Sequence, residues 1–210
     1  MNIPRLYPIL DTKLFERRQF PVLEAARIFL ESGIHLLQWR CKSTIGREEL
    51  EQVDKLVALC QKHSANLIVN DRADVAMMAG AQGVHVGQDD LPPQLVRQLM
   101  GPRVLLGYST HNREQFFEGT QLPVDYLAFG PIFGTTNKAN ADPSVGLEKL
   151  KFCAGLTSLP IVAIGGITRA NALQVLAEGA SSVAVIGDLV PDPCDTDSLR
   201  QRLHAWMRIL

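Results

Sequence analysis

GVHVGQDDLPPQLVRQLMGPRVLLGYSTH, residues 83–111, holds a whole structural unit in one line. Gly83–Val86 is a short apolar run, as short as a buried strand. Gly87-Gln88-Asp89-Asp90 is polar and turns the chain. Pro92–Met100 then repeats apolar residues at helical spacing, with Pro92 and Pro93 where a helix's first turn tolerates them. Val104–Gly107 is the next apolar run, and Tyr108-Ser109-Thr110-His111 leaves it in polar residues. The unit is strand, polar turn, helix, strand, polar turn. It fits a parallel sheet whose strands are covered on both faces.

The same unit recurs in both directions. Strands are predicted at Leu6–Leu10, His35–Arg40, Leu67–Asn70, Tyr126–Gly130, Ile161–Ile164 and Ser182–Ile186. Helices are predicted at Val22–Glu31, Glu48–His63, Asp74–Ala79, Arg113–Glu118, Leu147–Cys153, Arg169–Glu178 and Ser198–Ile209. Thr168 suits an N-cap ahead of Arg169. Gly33, Gly80 and Gly179 each follow a helical stretch, where a glycine can take positive φ. Strand starts recur roughly every 25 residues, one β/α unit each. An open doubly wound sheet remains the competing closure. Eight even units favour an α/β fold of the (β/α)8 TIM barrel type, a single domain over residues 1–210.

Composition bounds the function. Hydrophobic residues are 46% and charged residues 20%, which fits a globular chain and not a disordered one. Lys and Arg number 21 against 22 Asp and Glu, so the chain lacks the basic excess of a general nucleic-acid binder. No apolar run approaches the ~18 residues of a spanning helix. The start, MNIPRLYPILDTK, lacks a secretory signal's apolar stretch, and a cytoplasmic location is expected. Cys41, Cys60, Cys153 and Cys194 show neither C-x-x-C nor zinc-finger spacing and read as reduced thiols. Cys41 stands between Arg40 and Lys42, but a small space-filling role on a strand end suffices for it.

A barrel of this kind places its site at the carboxyl ends of its strands, and the polar residues gather there. Gln38, Arg40 and Lys42 alternate after the second strand and so share a side. Two cations there suit a phosphate or diphosphate, although solvated surface charges would read the same way. Asp71 and Asp90 follow the third and fourth strands. They can hold Mg2+ against substrate oxygens, or simply cap the helices they precede. Lys138 lies in the Gly/Thr/Asn-rich stretch 134–140, whose backbone amides could fold over a phosphate. Gly165-Gly166 and Gly187 end the last two strands, the usual phosphate site of a barrel. His85, inside its strand, reads as a core residue, and His111, past its strand, as a candidate acid–base.

As a set, these strand ends resemble the thiamine phosphate synthase family, which includes the related thiazole tautomerases. The stretches that carry the likeness are Gln38–Lys42, Asn70-Asp71-Arg72-Ala73-Asp74, Gly83–Asp90, Gly107–His111, Tyr126–Phe133 and Ala163-Ile164-Gly165-Gly166-Ile167, within a similarity running from about Leu6 to Leu189. The resemblance implies a transferase that joins hydroxymethylpyrimidine diphosphate to thiazole phosphate, giving thiamine phosphate and pyrophosphate. It implies that Gln38, Arg40, Lys42, Asn70, Ser109 and Lys138 bind the pyrimidine diphosphate, and that Arg40, Lys42, Ser109 and Lys138 serve catalysis. Asp71 and Asp90 would hold the Mg2+ cofactor. Thr135, Asn137, Gly166, Ile186 and Gly187 would meet the thiazole phosphate. Two positions depart from the family: Asn137 replaces a threonine, and Gly187 replaces a serine. The alternatives are a tautomerase using His111, or a non-catalytic protein that senses thiamine precursors. Partners are small molecules, with neither nucleic acid nor membrane, and a homo-oligomer is compatible with the sequence.

Overall fold

Short runs that are apolar on both sides can be buried only between two layers. Here one layer is the barrel lumen and the other a coat of helices. The computed structural model describes residues 3–134 and 143–210. Its strands are β1 (Leu6–Asp11), β2 (Leu36–Arg40), β3 (Asn66–Asn70), β4 (Gly83–Val86), β5 (Leu105–Thr110), β6 (Tyr126–Phe129), β7 (Ile161–Ile164) and β8 (Ser182–Val185). They run parallel in chain order, and β8 returns to β1 through Leu6↔Val183, Tyr7↔Ala184 and Pro8↔Val185. That pairing closes the (β/α)8 TIM barrel and excludes the open sheet.

The described helices are α1 (Thr12–Arg17), α2 (Val22–Glu31), α3 (Arg47–Lys62), α4 (Ala73–Ala79), α5 (Pro93–Met100), α6 (Arg113–Gly119), α7 (Gly146–Ala154), α8 (Ala172–Ala177) and α9 (Thr196–Met207), with a 3₁₀ turn at Gly187–Leu189. Gly33, Gly80 and Gly179 take positive φ as expected. Two expectations need correction. First, α1 has no counterpart in the sequence reading. It is six residues long, and the Asp11 side chain starts it by accepting from Leu14 N–H at 3.0 Å. Second, α8 begins at Ala172 and not Arg169, and Thr168 is not its cap. Asn171 occupies the N-cap and braces the preceding turn. Its Oδ1 accepts from Thr168 N–H at 2.8 Å, and its Nδ2 donates to Gly166 O at 3.0 Å.

Two apolar cores result. The larger lies between strands and helices and includes Leu37, Trp39, Val69, Val84, Leu127 and Trp206. The smaller fills the lumen with Ile3, Tyr7, Ile9, Leu36, Ile68, Leu105, Tyr126, Ala128, Val162 and Ala184. Period-two alternation assigns neighbouring residues such as Leu37 and Leu36 to different cores. No helix among the described residues is long and apolar enough to cross a membrane.

Candidate active site

Toward the carboxyl ends of β1–β5 the lumen turns polar. The described buried polar side chains are Asp11, Gln38, Asn70, His85, Thr110 and Ser182. Asp11, Gln38, Asn70 and His85 come from four successive strands, β1 to β4. Buried polar groups carry more information than buried apolar ones, because each needs a partner.

β2 presents Gln38 and Arg40 two residues apart, so both take the same side of the strand. Arg40 pairs with Asp11 across the β1–β2 register, and both side chains are largely buried. Asp11 therefore binds Arg40 with one oxygen and starts α1 with the other. Lys42, half-exposed beyond the strand, places Nζ 2.5 Å from Asp71 Oδ2. Each of the two cations thus already meets a carboxylate.

Neither aspartate caps a helix. Arg72 stands at the N-cap of α4 and Pro92 at that of α5. Asp71 sits just past β3 with φ of 65°, a left-handed conformation that aspartate tolerates better than most residues, and its N–H donates to His85 O at 2.7 Å. Asp90 folds back so that Oδ2 accepts from Gly87 N–H at 2.7 Å. Burial pushes the Asp90 carboxyl above its ordinary range, the Gly87 amide opposes this, and the charge and hydrogen bond of Asp71 raise it further, with Lys42 pulling down. The two carboxylates thus lie close enough for each to act on the other, with one ammonium beside them.

Such a pair fits a hard divalent cation that keeps open positions for substrate oxygens. The described residues hold no cluster of three or more His, Cys, Asp or Glu, so a metal here would rest on these two carboxylates and on substrate. Ser109 lies in β5, beyond the predicted strand end, and its Oγ is 2.8 Å from His85 Nε2. Gln88 Nε2 donates to Ser109 O at 2.7 Å and ties the β4 loop to β5. His111 is half-buried, and its Nδ1 donates to Gly130 O at 2.8 Å.

On the opposite side of the mouth, Gly165 and Gly166 take φ of 96° and 64°. The chain after β6 packs directly on them: Ile132 N–H donates to Ile164 O at 2.8 Å and Phe133 N–H to Gly165 O at 3.0 Å. A Cβ on Gly166 would lie 2.6 Å from Gly134 O and 2.7 Å from Phe133 Cβ. Ile186 and Gly187 start the 3₁₀ turn beyond β8. Thr135, Asn137 and Lys138 lie outside the described residues.

The sequence reading missed three residues that join this site from below. Tyr7, Tyr126 and His85 are buried side by side in the lumen, His85 stacked on Tyr126 with ring centroids 5.5 Å apart. They connect Gln38 to Ser109 by hydrogen bonds. His85 is buried, as its place inside β4 predicts, but through polar contacts. The local signal available was a histidine and two tyrosines at inward positions of otherwise apolar strands.

Comparison with known proteins agrees with this architecture. The family described as thiamine monophosphate synthase matches residues 6–189. A thiamine-phosphate synthase of Koribacter versatilis is 45% identical over 212 residues, covering 100% of this chain and 97% of that protein. One from Chloroflexus aurantiacus is 41% identical, covering 94% and 90%. The solved structure of a thiamine phosphate pyrophosphorylase from Pyrococcus furiosus superposes with a TM-score of 0.83 at 30% identity, covering 98% of this chain and 94% of its own.

Proposed function

This chain belongs to the thiamine monophosphate synthase family and is a transferase of thiamine biosynthesis, and we propose that it joins hydroxymethylpyrimidine diphosphate to thiazole phosphate with Mg2+ held at Asp71 and Asp90. The observation that carries the metal assignment is the close carboxylate pair with Lys42 beside it. Two like charges brought together at the mouth of a barrel repel unless a proton or a cation lies between them.

The reaction breaks the bond between the pyrimidine's methylene carbon and the diphosphate oxygen, and the electron pair leaves with the diphosphate. The thiazole nitrogen donates its lone pair to that carbon. The products are thiamine phosphate and pyrophosphate. The aminopyrimidine can spread positive charge, which supports a dissociative path. The protein's work is then to bind the leaving group and align the nucleophile. Mg2+ would neutralise charge on the diphosphate oxygens. Lys42 supplies a point charge beside the same oxygens. Arg40, locked by Asp11, offers guanidinium N–H groups in a fixed orientation. Gln38, Asn70 and Ser109 present polar groups to the pyrimidine diphosphate, and the family resemblance gives Lys138 the role of a further cation for it.

On the far side, Gly166, Ile186 and Gly187 offer backbone to the thiazole phosphate, and the family resemblance assigns Thr135 and Asn137 to the same ligand. That arrangement suits an enzyme working on small molecules. Its test is an assay with both substrates and Mg2+, with and without EDTA. Thiamine phosphate and pyrophosphate formed only without chelator support the assignment. Turnover indifferent to EDTA removes the metal from it.

The glycine pair gives a second expectation. Gly166→Ala forces a side chain into a left-handed backbone and onto Phe133, a strain of about 1–2 kcal/mol before the collision is counted. It is expected to raise KM for thiazole phosphate more than KM for the pyrimidine diphosphate, in initial-rate measurements with each substrate varied. Equal changes in both would make the pair merely a support for the β6 loop.

A further inference from the structure

The lumen beneath the site contains an unbroken row of hydrogen bonds. Gln38 Nε2 donates to Tyr7 Oη at 3.1 Å. Tyr7 Oη is 3.0 Å from Tyr126 Oη, Tyr126 Oη is 3.0 Å from His85 Nδ1, and His85 Nε2 is 2.8 Å from Ser109 Oγ. The row joins β2 to β5 through β1, β6 and β4. Tyr7 and Tyr126 are 1% and 0% exposed, so bulk solvent does not reach their hydroxyls. Among the described residues, Arg18 Nε is the sole buried side-chain nitrogen or oxygen without a partner.

Counting protons gives the row a direction. The Gln38 amide nitrogen has no acceptor lone pair, so Tyr7 must accept from it. The Tyr7 proton then has Tyr126 as its acceptor. Tyr126 in turn donates to His85 Nδ1, which must carry a lone pair. The neutral ring keeps its proton on Nε2 and gives it to Ser109 Oγ. Ser109 accepts there, and its own hydroxyl proton is left for the mouth of the barrel. In the reverse direction, or with His85 doubly protonated, one of the two buried tyrosine protons has no acceptor in the row. An unpaired buried donor is costly. Burial raises both tyrosines well above their ordinary range, which keeps both hydroxyls protonated as this count needs.

We propose that Tyr7, Tyr126 and His85 are positioning residues that orient Ser109 as a hydrogen-bond donor toward the pyrimidine diphosphate while anchoring Gln38 at the other end. This deepens the proposed function and rests on its placement of Ser109. A donor at this position selects an acceptor on substrate, a diphosphate oxygen or a ring nitrogen, over a donor at the same place.

The test reads the histidine tautomer directly. In the full-length protein labelled with ¹⁵N-histidine, long-range ¹H–¹⁵N spectra should show His85 neutral with its proton on Nε2, assigned by its loss in His85→Asn. Tyr7→Phe should leave that tautomer in place, because Tyr126 still donates to Nδ1. Tyr126→Phe should shift it toward a mixture. A proton on Nδ1 in the wild type, a doubly protonated ring, or equal behaviour of the two phenylalanine variants overturns the direction. The wild-type spectrum decides this point even if Tyr126→Phe does not fold.

A kinetic cycle reads the second half. Tyr126→Phe should lower kcat/KM about tenfold, the equivalent of one hydrogen bond, but less than twofold when Ser109 is already alanine. A full tenfold loss in both backgrounds overturns action through Ser109. If Ser109→Ala itself leaves kcat/KM unchanged, the substrate role of Ser109 falls and the positioning role with it, while the tautomer result still reports on the row alone.

Discussion

Asp90→Ala is expected to lower turnover by on the order of 10²–10³-fold, the loss that follows removal of one charge-stabilising group. The fold should barely register the change. The Asp90 carboxylate accepts one amide, Gly87 N–H, and that bond contributes about 1 kcal/mol. The Lys42–Asp71 pair remains beside it. Asp90→Asn is the sharper probe, since its amide oxygen can keep the Gly87 bond while the charge is gone. It should be as inactive as the alanine variant. His111→Ala should keep most of the activity, because His111 points Nδ1 at the Gly130 carbonyl. Steady-state assays over a Mg2+ titration, beside urea melts, separate loss of chemistry from loss of fold. An active Asp90→Asn removes the metal assignment. An active Asp90→Ala with a dead His111→Ala would point to proton-shuttling chemistry of the tautomerase kind.

The largest effect on stability is expected from one methyl group. Gly107 lies in β5, and a Cβ there would fall onto the Tyr126 ring and His85 Nδ1. Its φ is not positive, so the backbone itself would accept alanine. The whole cost is steric, and the two rings are held within a closed lumen by stacking and by hydrogen bonds at both ends. Gly107→Ala should cost at least the ~1–3 kcal/mol usual for an overpacked core. In a chain of this size each kcal/mol moves Tm by about 2–4 °C. Gly80→Ala is the control. It has a φ of 67° but open space around it, so its cost is backbone strain of about 1–2 kcal/mol. Gly107→Ala melting at or above wild type would mean that the two rings can move aside.

The barrel was legible because its strands are short, apolar on both faces and evenly spaced. Local signals sufficed for those strands and for the long helices such as α3. They failed for α1, whose TKLFER buries Phe15 alone and depends on the Asp11 cap. They also failed at Thr168, where a good capping residue lies one turn too early and Asn171 does the bracing. Strand-end chemistry was legible as a list of residues but not as pairs. Arg40 and Lys42 read as two cations for phosphate, yet their carboxylate partners, Asp11 and Asp71, come from the two neighbouring strands. The capping alternative for Asp71 and Asp90 gave way for the same reason: their closeness across adjacent strand ends is a tertiary fact. The row from Gln38 to Ser109 was the least legible, since Tyr7 and Tyr126 meet across 119 positions of sequence and only after the ring has closed.

Closure has one more consequence, for how the protein fails. A sheet with free edges offers unpaired main-chain groups to any passing strand, and native copies can begin to aggregate there. This ring has no first or last strand, since β8 is sealed against β1. Aggregation on heating must wait for a seam to part. Its onset should therefore track the unfolding transition itself and not precede it.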